Sequence, residues 1–296
     1  MSEDDESTEI NSTDGPDAVG VKLGSTRTVL DLPDGRGGRE RHSTLTCLAT
    51  YEDAITGDEK VLFGHEAAIE YPDTVRFMLR SGLPEDDESV ADAERFFEAV
   101  VDAHDVPEDS AVVYAVPTID NEAGVNNLKS VIEGSSIGQV ETRSYPESLC
   151  GAIPAYGDDL DAIDEVFVSI NMGSTTLEAC AYRRGEQLSP FSTGSVTGNE
   201  VDRGVREPVD RYIDEAVDIV ANEFFPELAN DHMKPYQLAL GRPIAATGGM
   251  ACIPGLTEEF ETRLSAELDR DVEVVSPDDP ATAAAEGAGR IAERLI

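Results

Sequence analysis

Lysine is scarce in this chain. Lys22, Lys60, Lys129 and Lys234 are the only lysines in 296 residues, and the rest of the 22 basic residues are arginines. These cations form no basic cluster. Contacts to nucleic-acid phosphates need one, so direct binding to duplex DNA is not expected. Cys47, Cys150, Cys180 and Cys252 make no C-x-x-C pair and sit in apolar or small-residue runs, which predicts reduced, buried thiols. The four histidines are scattered without metal-ligand spacing. No signal-peptide pattern and no apolar run of membrane-spanning length is found, so a cytoplasmic protein with no membrane segment is expected.

Acid is in excess. There are 61 Asp and Glu residues against 22 Lys and Arg, a formal net charge of -39. In dilute buffer such a surface repels itself. At ~1 M salt the Debye length falls to roughly 3 Å and the repulsion is largely screened. The acid is spread along the whole chain, so it reads as adaptation to molar salt, with an acidic protein of an ordinary cytoplasm as the alternative. The composition is 40% hydrophobic, enough for a sizeable core. The length suits two lobes sharing one hinge, or one large α/β domain.

Residues 1–16 are acidic, Ser/Thr-rich and aperiodic, and are expected to be a disordered tail. Strands are expected at Ala18–Leu23, Thr26–Leu32, Leu45–Thr50, Lys60–Phe63, Ser110–Val116 and Gln139–Arg143. An Asp34–Arg41 loop, a short helix at Glu66–Glu70 and an acidic loop at Leu83–Val90 lie among them. Helical spacing marks Ala91–His104, Glu122–Glu133 and Pro146–Tyr156. Three further strands, Glu165–Ile170, Thr176–Tyr182 and Gly185–Phe191, open the second half. A long, broken helical run from Glu200 to about Glu227 follows, then a strand at Ile244–Ala246, a helix at Thr257–Leu268, a strand at Asp271–Val275 and a last helix at Ala281–Leu295. Hairpins open each half and helices follow, which suits an α/β unit repeated twice.

The two halves begin alike. Val19 to Thr26 reads Val-Gly-Val-Lys-Leu-Gly-Ser-Thr, and Val168 to Thr175 reads Val-Ser-Ile-Asn-Met-Gly-Ser-Thr. A strand–Gly-Ser-Thr–strand turn presents backbone N–H groups and hydroxyls at its tip, and such a nest binds phosphate oxygen with little side-chain charge. One such turn is equally an ordinary tight hairpin. Two, at Gly24-Ser25-Thr26 and Gly173-Ser174-Thr175, could grip a polyphosphate from opposite sides. A third element, Ala246-Thr247-Gly248-Gly249-Met250, follows a strand, and its paired glycines would let a nucleotide lie against the backbone. A fourth, Tyr145-Pro146-Glu147-Ser148, opens a small-residue helix. Glu147 is placed there either to order a water or simply to complement the helix dipole.

In this order the four elements resemble the actin superfamily, from about Asp17 to Ile296. Gly20–Thr28 resembles its first phosphate loop, Asn171–Glu178 its second, Ala246–Leu256 its adenosine loop, and Ala281–Gly289 its second connecting helix. Pro146-Glu147-Ser148 is similar to the plasmid-segregating actins. Phe63-Gly64-His65-Glu66-Ala67 and Gly198-Asn199-Glu200-Val201-Asp202 resemble bacterial cell-shape actins, the latter a segment that contacts ribose and base. With the salt signature, the resemblance is nearest to salactin-like haloarchaeal actins. It implies a two-lobed, duplicated ribonuclease-H-like α/β fold. The first lobe would be residues 17–164 with 276–296, carrying an outer insertion at about 31–80, and the second lobe residues 165–275. The interval from Gly198 to Gly248 is short, so the second outer subdomain is expected to be reduced.

The implied ligand is ATP, with GTP an alternative. Lys22, Gly24, Ser25, Thr26, Asn171, Gly173, Ser174, Thr175, Gly198, Glu200, Asp202, Gly248, Gly249 and Met250 would bind it, and Glu147 would position the attacking water. Two departures bear on magnesium. The family usually carries carboxylates where this chain has Lys22 and Asn171. An ammonium ~5 Å from Mg²⁺ is repelled by up to about 6 kcal/mol at an effective dielectric of ~20. Lys22 either contacts phosphate directly or points away from a degenerate loop. Hydrolysis is therefore expected to be weak or altered. Three functions follow: a filament-forming actin that partitions DNA through an adaptor protein, a non-polymerising pseudo-ATPase that signals by lobe closure, and a small-molecule kinase using Glu200 or Asp202 as acceptor base.

Overall fold

The structure is a computed structural model that describes residues 17–157, 161–198, 201 and 206–296. The expected tail at 1–16 lies outside them. The first part of the chain runs β1 (Ala18–Leu23), β2 (Arg27–Pro33), β3 (Arg39–Leu45), β4 (Cys47–Glu52), β5 (Glu59–Phe63), α1 (Gly64–Glu70), β6 (Arg76–Phe77), α2 (Asp87–Ala103), β7 (Ala111–Val116), α3 (Glu122–Glu133), β8 (Glu141–Pro146), α4 (Glu147–Ala155) and α5 (Asp161–Asp164). The second part runs β9 (Val166–Met172), β10 (Thr176–Arg183), β11 (Glu186–Ser195), α6 (Arg206–Asp218), α7 (Phe225–Asp231), α8 (Met233–Ala239), β12 (Ile244–Thr247), α9 (Leu256–Glu267), β13 (Val274–Val275) and α10 (Ala283–Ala292).

Two five-stranded sheets share one plan. The first is ordered β3-β2-β1-β7-β8 and the second β11-β10-β9-β12-β13. In each, an antiparallel hairpin precedes a parallel half: β1 pairs β2 antiparallel and β7 parallel, while β9 pairs β10 antiparallel and β12 parallel. The internal repeat read from Val19 and Val168 is thus a repeat of topology. β1 and β9 are nearly continuous apolar runs because both faces of each sheet are covered, and every residue of β9 is buried. On one side of the first sheet, Phe96, Phe97 and Val101 of α2 and Leu128 and Ile132 of α3 pack on Val19 and Val21. In the second, Tyr212, Ile213 and Val217 of α6 and Phe260 of α9 pack on Ile170 and Ala246.

The helices that follow the last strand of each sheet are exchanged. α4 leaves β8 of the first sheet yet lies on β9 and β12, with Leu149 and Ala152 packed against Phe167, Tyr182 and Ala245. α10 leaves β13 and lies on β1 and β7. The two helices cross at Gly287, where a Cβ would fall 1.8 Å from the Cys150 carbonyl oxygen, and α10 lies close on β1 at Gly20, where a Cβ would fall 2.1 Å from that of Ala285. Arg39 ties α10 to the first sheet, bonding Asp31 at 2.5 Å and Glu293 at 2.7 Å.

A third, small sheet, β5-β4-β6, lies beyond β3. Among the described residues the second half has no counterpart to it. Between β11 and β12 the described chain is helical, as α6, a π-helical segment at Ile219–Phe224, α7 and α8. The second outer subdomain is accordingly small.

Several local expectations shift. Helix α2 begins inside the expected Leu83–Val90 loop because Asp86 caps it: its carboxylate accepts from Ser89 N at 2.8 Å, and Ser89 Oγ accepts from Asp86 N at 3.0 Å. The loop expected to reach Arg41 ends earlier, with β3 starting at Arg39. The strand expected at Leu45–Thr50 is divided between β3 and β4 at Thr46. Helix α8 was not expected at all. The break in the long helical run falls next to Pro226, which has no N–H to continue the ladder. Cys47, Cys150 and Cys180 are buried thiols as expected, but Cys252 is exposed.

Candidate functional site

The two Gly-Ser-Thr turns face each other across a cleft of about 270 Å³. They are closed in the same way: Gly24 N donates to Arg27 O at 3.0 Å, and Gly173 N donates to Thr176 O at 3.0 Å. The Ser and Thr of each turn are left at the tip, lining the cleft. Each turn is braced from behind. Ser25 Oγ accepts from Gly82 N at 2.6 Å, and Tyr212 donates its hydroxyl to Gly173 O at 3.1 Å.

The Gly248-Gly249 pair forms another wall. Gly248 adopts φ 97°, and a Cβ there would fall 2.5 Å from Met172 O and 2.6 Å from Asn171 Oδ1. That close approach joins the end of β12 to the second turn. A Cβ on Gly249 would meet nothing within 4 Å, so its backbone is open to the cleft. Two opposed turns and an open glycine backbone fit a ligand with a polyphosphate at one end and a flat apolar group at the other.

The floor is ionic. Lys22 Nζ lies 2.5 Å from Glu147 Oε1, with side chains only 14% and 10% exposed. Lys22 therefore points into the cleft and not toward solvent. Beside this pair lies Glu178, buried on β10 directly opposite Asn171 of β9. Its carboxylate accepts from Thr118 N at 3.0 Å. Burial, and then the neighbouring Glu147 charge, push the Glu178 carboxyl up to about 8, against the opposing pull of Thr118, Lys22 and Asn171. Burial thus favours the protonated form of Glu178.

This floor does not fit a divalent ion held by the protein. An ammonium occupies its centre, the Glu147 carboxylate is already paired with it, and Asn171 brings an amide. Among the described residues no group of three or more His, Cys, Asp or Glu is placed to hold a metal.

Of the residues singled out in the sequence, Lys22, Gly24, Ser25, Thr26, Glu147, Asn171, Gly173, Ser174, Thr175, Gly249 and Met250 line this one cleft. Gly248 and Gly198 stand just behind it. A Cβ on Gly198 would fall 2.9 Å from both Ser174 Cα and Met250 Sδ. Glu200 and Asp202 lie outside the described residues. Arg27, Ser81, Gly82 and Glu178 also line the cleft; Arg27 and Glu178 fall within the two stretches resembling phosphate loops but were not singled out as binding residues, and Ser81 and Gly82 were missed. Glu178 carried a signal: it stands where the first repeat has buried Val29, since Lys22 pairs with Val29 as Asn171 pairs with Glu178. A larger groove of about 680 Å³, with Ile153 and Ile291 on its walls and Arg184 and Arg294 beside them, shares no lining residue with the cleft. Among the described residues no helix is long and apolar enough to cross a membrane.

The sequence family described as Salactin matches residues 16–207 and 203–296. Salactin of Halobacterium salinarum is 51% identical over 336 residues, covering 95% of this chain and 92% of that protein. Among solved structures, a MamK double helical filament superposes with a TM-score of 0.71 at 18% identity, covering 93% of this chain and 98% of that one. MreB5 of Spiroplasma citri bound to ADP superposes with a TM-score of 0.64 at 14% identity, covering 95% and 97%.

Proposed function

Because this chain belongs to the salactin family and has the actin fold, we propose that it binds a nucleotide in the cleft between its two Gly-Ser-Thr turns and assembles head to tail into cytoskeletal filaments. The observation that carries the binding reading is the matched closure of the turns, each glycine N–H bonded at 3.0 Å within its own hairpin so that both tips face one cleft. Ser25, Thr26, Ser174 and Thr175 would hold the phosphates by hydroxyl and backbone donors. Gly248, Gly249 and Met250 would take the nucleoside. A nucleotide found with similar folds, as with MreB5 bound to ADP, supports the same use here. ATP is the nucleotide proposed, with GTP the alternative.

Lobe closure on the nucleotide would be transmitted through the crossed helices α4 and α10, which bridge the two sheets. The likeness in fold to a MamK filament supports self-assembly. A net charge of -39 argues that any DNA cargo is reached through an adaptor protein and not by direct contact. The same charge suits a cytoplasm of molar salt.

Glu147 is the carboxylate proposed to position an attacking water. Its ion pair with Lys22 on Oε1 leaves Oε2 to accept from that water but makes the carboxylate a weaker base, so hydrolysis would be slow. That pair also favours a second reading, a nucleotide-binding module that neither hydrolyses nor polymerises. Light scattering in molar KCl, with and without ATP over a broad protein concentration range, separates the two. Nucleotide-dependent assembly is expected. A monomer at every concentration, with nucleotide bound and no phosphate released, would select the second reading.

A further inference from the structure

We infer that the cleft takes its nucleotide without needing a divalent metal ion, because cations fixed in the chain supply the positive charge that such an ion would bring. This rests on the nucleotide-binding reading above and deepens it.

The argument begins with two equivalent positions. Lys22 and Asn171 each stand two residues before the glycine of their turn, on the central strands β1 and β9, and both line the cleft. Their side chains line the same cleft as the Ser and Thr of the two tips. One is an ammonium and the other an amide, so neither contributes a negative oxygen. Arg27, the residue after the first turn, adds a second cation at the rim, where its guanidinium makes one long bond, 3.5 Å to Ser43 Oγ, among the described residues. In a chain with 61 acidic and 22 basic residues, two cations converging on one small cleft run against the composition.

The geometry lets Lys22 serve a phosphate without leaving the cleft. An ammonium has three donors, and Glu147 takes one of them at 2.5 Å. The others remain for a phosphate oxygen. The two carboxyl groups cannot easily replace them as metal ligands: Glu147 is bound to Lys22, while Glu178 is engaged by Thr118 N. A divalent ion entering this floor would also meet the Lys22 charge in a site only partly open to solvent, where repulsion is screened less than in water.

The test is the affinity of a fluorescent ATP analogue in molar KCl, measured once with excess magnesium and once with excess EDTA. The wild-type dissociation constants should agree within about threefold. Lys22→Met should weaken binding in EDTA by about tenfold or more, with Lys22→Arg retaining it. Lys22→Asp combined with Asn171→Asp should make binding magnesium-dependent. Wild-type binding that tightens tenfold or more with magnesium would overturn the inference and leave the nucleotide site standing. Binding in neither buffer would overturn the nucleotide site itself. The wild-type comparison decides the matter even where a variant does not fold.

Discussion

The ion pair on the cleft floor makes an asymmetric prediction. Lys22 and Glu147 are mostly buried, and removing one partner of such a pair costs about 3–5 kcal/mol when the other is left uncompensated. Lys22→Met does that: Glu147 is left beside the buried Glu178 with no ammonium between them. Glu147→Gln does not. The Glu147 charge is the second largest cause of the raised Glu178 pKa, after burial. With it gone, Glu178 ionises more readily and takes over the lone Lys22, so the loss should be about 1 kcal/mol. At roughly 2–4 °C per kcal/mol, Lys22→Met should lower Tm by about 6–20 °C and Glu147→Gln by about 2–4 °C. The double variant should recover most of the larger loss, because no unpaired charge remains. Thermal unfolding followed by circular dichroism, without nucleotide, measures all three. Molar salt should not blur the contrast, since contact pairs that are mostly buried are little screened. A Glu147→Gln loss as large as that of Lys22→Met would refute the reasoning that Glu178 is the reserve partner.

Three other outcomes follow from single positions. Gly287→Ala should destabilise by about 1–3 kcal/mol in the same melts, since its Cβ would sit 1.8 Å from Cys150 O and force α4 and α10 apart; an unchanged Tm would contradict the tight crossing. Glu178 binds a proton more firmly in the fold, with a pKa of about 8 against a usual 4.5, so the folded state holds more protons than the unfolded state between those values. Stability should therefore fall as pH rises through that window and level off above it, and Glu178→Gln should flatten the profile. Native protein should react slowly with a thiol reagent at Cys252 alone, the exposed cysteine with a thiol pKa raised by burial, while unfolded protein reacts at all four.

Much of the fold was legible because its strands are read by burial. β1 was located to the residue, since a strand covered on both faces is a nearly continuous apolar run, here interrupted by Lys22 alone. Where local chemistry is ambiguous, the sequence was less informative. The acidic stretch Glu85 to Glu88 looks like loop, and only the reciprocal bonds of Asp86 and Ser89 reveal a helix cap there. The exchange of α4 and α10 between sheets depends on contacts between distant residues, such as Gly287 on Cys150 O, which leave no periodic trace. The site divides in the same manner. Its turns were legible because Gly-Ser-Thr recurs at the start of each half. The pairing of Lys22 with Glu147 was not, because β1 and α4 meet only in the folded cleft. Glu178 closes the stretch that resembles the second phosphate loop, but its place beside the ion pair was hidden in a strand of small apolar residues, where alignment of the repeat against Val29 marks it out.

The most direct measurement is a structure of the protein with a non-hydrolysable ATP analogue in molar KCl. The account predicts the polyphosphate between the tips of residues 24–26 and 173–175, with Lys22 Nζ within hydrogen-bonding distance, about 3 Å, of a phosphate oxygen. A nucleotide bound elsewhere, or one bound in the cleft with Lys22 still contacting Glu147 alone, would contradict it.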